Sequence, residues 1–209
     1  MTVKIVKCVA LSALVALSAS CGDVSRQGRS PVQIVMRSLT AASGAEPEET
    51  SGSLQSDVVI MITDDPCSPE NPCPSIVNDV GEVAFALILK DPGSPAAPAA
   101  PSALNAVTIN RYRVEYRRTD GHNIQGVDVP YAFDSGLTFT IPNDGEVSAG
   151  FQIVRHTAKE EAPLRALRFN GSIISTIATV TFYGQDQTGN EITASGNIGI
   201  DFGDFADPE

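Results

Sequence analysis

Along most of this chain, apolar residues alternate with polar ones or gather in short runs, and turn-forming residues separate them. The clearest period lies in residues 107–118 (VTINRYRVEYRR), where Tyr112, Val114 and Tyr116 alternate with Arg111, Arg113, Glu115 and Arg117. A two-residue period turns one face to a core and the other to solvent, which predicts a half-buried strand. Residues 83–90 (VAFALILK) form a continuous apolar run, suited to a strand covered on both faces or central in a sheet. Residues 31–39, 54–62, 137–141, 147–156, 173–183 and 191–202 complete a set of about eight expected strands. Pro142-Asn143-Asp144-Gly145 is a turn with a mechanism, since Pro fixes φ and Asp-Gly accepts positive φ. It predicts that residues 137–141 and 147–156 pair with each other. Asp186-Gln187-Thr188-Gly189-Asn190 separates the last two strands and predicts a final hairpin. Two stretches read as irregular. Residues 159–164 are charged and broken by Pro163, and residues 91–102 (DPGSPAAPAAPS) carry four prolines that favour polyproline-like extension. Short strands with turns every 8–15 residues predict an all-β chain, an antiparallel β-sandwich forming one domain over residues 31–209.

Composition narrows what such a domain does. Gly 17 and Pro 14 disfavour long helices. Lys+Arg 14 against Asp+Glu 25 gives a formal net charge of −11, which argues against a phosphate-binding surface and hence against nucleic acid as a partner.

The first residues read as an address. Lys4 and Lys7 precede an apolar stretch ending at Leu17, followed by Ser18, Ala19, Ser20 and Cys21. Ten or so apolar residues span only ~15 Å as a helix, too short for a hydrocarbon core of ~30 Å, so a secretion signal over residues 1–20 is preferred to a membrane span. Leu17-Ser18-Ala19-Ser20-Cys21 resembles the lipobox of bacterial lipoproteins, with its leucine one position further out than in that family. The resemblance implies that Cys21 receives diacylglycerol and becomes the N-terminus, with residues 21–30 as a lipidated tether. An ordinary secretory cleavage after Ser18-x-Ser20 fits the same bond. Gly22, in place of the Asp that can retain lipoproteins at the inner membrane, implies an outer-membrane location. Removing residues 1–20 takes away two lysines and no acid, deepening the net charge from −11 to −13. An anionic lipid surface repels such a chain, so membrane association would come from the lipid itself.

Cysteine usage fits export. Cys67 and Cys73 bracket a proline-rich loop and read as a structural disulfide, as expected in an oxidising compartment. Two Cys with no His nearby make a poor zinc site.

At the last hairpin, the sequence from Tyr183 through Asp186, Gly189 and Asn190 is similar to the Asp-x-x-Gly-Asn turn of bacterial immunoglobulin-like repeats. Residues 107–205 likewise resemble the C-terminal half of uncharacterised bacterial lipoproteins with a sandwich fold. That likeness implies an immunoglobulin-like sandwich and an exported location, and it brings no catalytic residue.

Chemistry is sparse. His122 and His156 are the two histidines, and neither belongs to a nucleophile elbow, a zinc motif or a phosphate loop. They read as exposed residues. The basic face of residues 107–118 offers an anion-capturing stripe, or more simply a solvated face paired across strands with acids. Asp64, Asp65 and Asp186 are weak candidates for calcium ligation, as are the acids near the C-terminus, without EF-hand spacing. A carbohydrate platform would want aromatic residues, and Trp is absent. The expectation is a lipid-anchored envelope protein without cofactors, acting as a structural or interaction module for another envelope protein. The alternative is a calcium- or carbohydrate-binding module, or a hydrolase accessory, using loop carboxylates.

Overall fold

The computed structural model describes residues 28–205; the expected signal peptide, Cys21 and most of the tether lie outside the described residues. Two sheets face each other. The smaller has the order β1-β5-β10, built from β1 (Val32–Ala42), β5 (Asp79–Leu89) and β10 (Glu146–Val154). The larger has the order β2-β12-β11-β8-β9, built from β2 (Ser53–Asp57), β8 (Val107–Arg117), β9 (Phe133–Ile141), β11 (Ile174–Asp186) and β12 (Glu191–Gly203). Short pairs, β3 (Ile60–Ile62) with β4 (Cys73–Ser75) and β6 (Gly93–Ser94) with β7 (Ala97–Pro98), decorate the connections.

The core follows from the alternation. Tyr112, Val114 and Tyr116 are buried, and β5 is the centre of its sheet, as its apolar run predicts. Phe85 of β5 meets Phe182 of β11 edge-on at 5.1 Å between centroids, and Phe151 of β10 meets Phe182 at 5.3 Å and Tyr112 at 5.2 Å. These contacts run from one sheet to the other, and a Phe side chain fully buried this way contributes about 1.5–3 kcal/mol. The larger sheet also closes an edge of the smaller one. Tyr112 Oη donates to the Gln152 carbonyl at 3.0 Å and accepts from the Gln152 N–H at 3.2 Å, while Tyr116 Oη donates to the Ile153 carbonyl at 2.6 Å. Ile153 lies where the β10–β5 register slips, so its carbonyl gains from a side chain what the ladder does not supply.

Several expectations need correction. Residues 54–62 are not one strand: the run passes through buried Val58 and Val59 and divides into β2 and β3, which belong to different sheets. The sandwich is not wholly antiparallel, because β2 runs parallel to β12, Ser53 beside Gly199 through Asp57 beside Gly203. The 142–145 turn exists, with Gly145 at φ 106°, but its flanking strands do not pair. β9 pairs with β8 and β10 with β5, so the turn carries the chain from one sheet to the other. Residues 91–102 fold back as the small β6–β7 hairpin instead of running extended, with Gly93 at φ 76° at its base, beside Pro98. Residues 159–164 are not a plain loop either. They take in the end of a short helix α1 (His156–Glu160) and the start of a 3-10 turn at Leu164–Leu167, which bury Lys159, Leu164 and Leu167.

Strand registers define two ends. One holds Val32 beside Leu89, Val107 beside both Ile141 and Asp186, and the β11–β12 hairpin. The other holds Ala42 beside Val80, Asp79 beside Val154 and Asp57 beside Gly203.

Candidate functional site

The second end contains the chain's most unusual chemistry. Asp79 opens β5, and its carboxylate accepts from the Lys159 ammonium of α1 at 2.8 Å, from the Ser56 hydroxyl of β2 at 2.6 Å and from the Gly44 N–H at 2.9 Å. The Asp79 and Lys159 side chains are both 0% exposed. Gly44 reaches this close because it lacks a Cβ, which would stand 2.2 Å from the Asn78 carbonyl oxygen. Burial pushes the Asp79 carboxyl up from its ordinary value, and the Lys159 charge, its hydrogen bond, Ser56 and Gly44 pull it back down. Burial likewise drives the neighbouring Tyr116 hydroxyl upward, with the charge of Asp79 adding to the effect. One carboxylate thus fastens the smaller sheet, the edge strand of the larger sheet, α1 and the loop after β1. Neither charge meets solvent, so the pair is closed to a substrate and serves as a clamp.

Sequence reasoning missed this cluster because Lys159 sits in a charged segment and Asp79 is 80 residues away. The available signal was Ala158, Leu164 and Leu167 around Lys159, which mark a packed turn. Beside the clamp, a cleft of about 350 Å³ is lined by Glu46, Glu49, Ser51, Asp57 and Phe205, among others.

Asp64 and Asp65 are exposed on the approach to Cys67, whereas Asp186 is buried in the β11–β12 turn at the opposite end. The structure does not bring them together. Among the described residues, no three His, Cys, Asp or Glu side chains cluster as metal ligands. Asp186 instead organises its own turn. It accepts from the Thr188 N–H at 2.9 Å, the Thr188 hydroxyl at 2.7 Å, the Asn190 N–H at 2.9 Å and the Asn190 side-chain amide at 2.9 Å. Desolvation raises the Asp186 carboxyl, but these bonds, with one from Ser30, outweigh it and hold the group well below the carboxylate range. Gly189, at φ 84°, supplies the left-handed residue this turn requires.

Cys67 and Cys73 are joined by a disulfide, with Cα atoms 5.7 Å apart. The arginine stripe is a paired surface: Arg111 and Arg113 both bind Asp134 of β9, Arg113 also binds Glu115, and Arg118 binds Asp120. Arg111 lies 3.9 Å over the Tyr183 ring. His122 is exposed and lies 3.5 Å from Asp120, and His156 is exposed at the start of α1, its backbone N–H donating to Asn78.

The end of the expected tether also needs revising. Ser30 is 1% exposed, its hydroxyl accepts from the Val32 N–H and it bonds to Asp186, so this residue belongs to the fold. Arg29 borders a small hollow with Gly189, Asn190 and Glu191. Comparison with protein-family models, with curated proteins and with solved structures finds no match to this chain.

Proposed function

We propose that this chain is a lipid-anchored protein of a bacterial cell envelope, held at the outer membrane, whose immunoglobulin-like sandwich acts as a structural or protein-binding module. The observation that carries the reading is the stretch Leu17-Ser18-Ala19-Ser20-Cys21 after a short apolar run. The Cys67–Cys73 bridge supports it, since such bonds persist in oxidising compartments. A non-enzymatic role is supported by how the buried ionisable groups are used. Asp79, Lys159 and Asp186 are each bound to internal partners that fasten strands, turns and α1. The immunoglobulin-like assignment rests on the Asp186-Gly189-Asn190 turn and on two facing sheets. The three-plus-five strand order differs from the four-plus-three of immunoglobulin constant domains.

Mass spectrometry of the mature N-terminus from a membrane fraction tests the proposal. The expected result is a chain beginning at Cys21 and carrying diacylglycerol. Cleavage at another bond, or an unmodified Cys21, overturns it.

A further inference from the structure

The sandwich has a polarity that bears on how it meets a membrane. The tether enters at one end only, where Ser30 is buried against Asp186 and Arg29 borders the β11–β12 turn. Six residues, 22–27, separate Cys21 from the first described residue. Fully stretched, this segment reaches about 25 Å. β11 alone has 13 residues and is about 40 Å long. The hairpin end therefore stays within ~25 Å of the point where Cys21 would be held, less than the length of the body.

Charge is distributed along the same axis. No Lys or Arg occurs from residue 38 to residue 89. Within that span Glu46, Glu48, Glu49, Asp57, Asp64, Asp65 and Glu70 all belong to connections or strand ends at the far end, and the Glu46–Glu49 cleft opens there. Arg117, Arg118, Arg155, Arg165 and Arg168 also lie at that end, but Asp120, Asp128, Glu160 and Glu161 accompany them and acids stay in excess, so an anionic leaflet repels it within a Debye length of about 8 Å. The hairpin end has Arg29 and Lys90 with Asp91, Asp144, Glu146 and Glu191, a smaller excess of acid.

We infer that the sandwich stands on the lipid surface with its β11–β12 hairpin end toward the headgroups and its acidic, disulfide-bearing end held away. The inference rests on the lipid-anchor reading above.

The test uses the full acylated chain in vesicles of phosphatidylethanolamine and phosphatidylglycerol. Gln187→Cys at the hairpin and Thr157→Cys in α1 are each labelled with a fluorescent donor, and acceptor lipid is placed at the bilayer surface. Strong energy transfer from position 187 and weak transfer from position 157 is the expected result. Equal transfer from both positions, or stronger transfer from 157, overturns the orientation while leaving the anchor intact. The intact mass of the same samples separates the two ideas: a chain without acyl mass overturns the anchor, and the orientation with it.

Discussion

Replacing Lys159 with Met isolates what the clamp contributes. The Lys159 ammonium lies 2.8 Å from Asp79 Oδ1, and neither side chain reaches water. Met fills a similar volume but leaves Asp79 with only the Ser56 hydroxyl and the Gly44 N–H as donors. Breaking a buried pair from one side costs about 3–5 kcal/mol, because the remaining charge is desolvated and uncompensated. With a urea m-value of about 2 kcal/mol/M, Lys159→Met should lower the unfolding midpoint by roughly 2 M. Against a total stability of about 5–15 kcal/mol, that loss leaves a fold still measurable. Asp79→Asn/Lys159→Met removes both charges and keeps an acceptor for Gly44. It should recover about 2–3 kcal/mol relative to the sum of the single changes. The pH dependence gives an independent check. In the intact protein the Lys159 charge and hydrogen bond pull the Asp79 carboxyl down, so without them that buried acid binds protons more readily in the native state and the deficit of Lys159→Met should shrink as pH falls. Urea titrations of the four proteins at pH 7 and at acid pH measure all of this. Costs that simply add to within ~0.5 kcal/mol, or a Lys159→Met deficit unchanged by pH, would refute the clamp.

At the other end of the molecule, Asp186→Ala removes the acceptor for four donors of the hairpin turn and should cost about 2–3 kcal/mol in the same titration. Because Asp186 is held below its ordinary value of 3.8, its contribution is present above the unfolded range and lost as pH falls. Wild-type melting temperatures should therefore drop more steeply below about pH 4 than those of Asp186→Asn, and parallel curves would contradict the assignment. Reduction of Cys67–Cys73 opens a loop with a sequence separation of 6 and should cost about 2 kcal/mol, lowering the melting temperature by roughly 5 °C. Identical melts with and without reductant would show that this loop opens before the body unfolds.

What the sequence displayed were local regularities, and what it hid were distant meetings. Tyr112, Val114 and Tyr116 announced their inward face by alternation, and the structure buries all three. The Asp186 turn was visible because its residues hydrogen-bond one another within four positions. Pro142–Gly145 was also visible as a turn, yet turn chemistry fixes only a reversal of direction, not which sheet receives the next strand. Packing made that choice, placing Phe151 of β10 against Gly81 of β5, where the ring lies 2.5 Å from the position of an added Cβ. The break inside residues 54–62 was hidden because Val58 and Val59 are buried while belonging to neither strand, so the apolar run continues through a change of sheet. Lys159 stayed obscure for the opposite reason. A lone lysine among charges looks solvated until a carboxylate from a remote strand accounts for it.

The one parallel strand pair among the described residues sets an order of assembly. β2, at residues 53–57, finds its ladder partners only in residues 199–203, the end of β12. Ser51 already pairs with Ala41 at the end of β1, but residues 53–57 wait for β12 before their own ladder forms. Contacts so remote in sequence slow folding, since the connecting chain must be closed before they reward it. A molecule emerging N-terminus first, from a ribosome or through a secretion channel, thus completes its larger sheet only after its final strand is free. Truncation before Gly199 strips the ladder from β2 and the end of β12 at once.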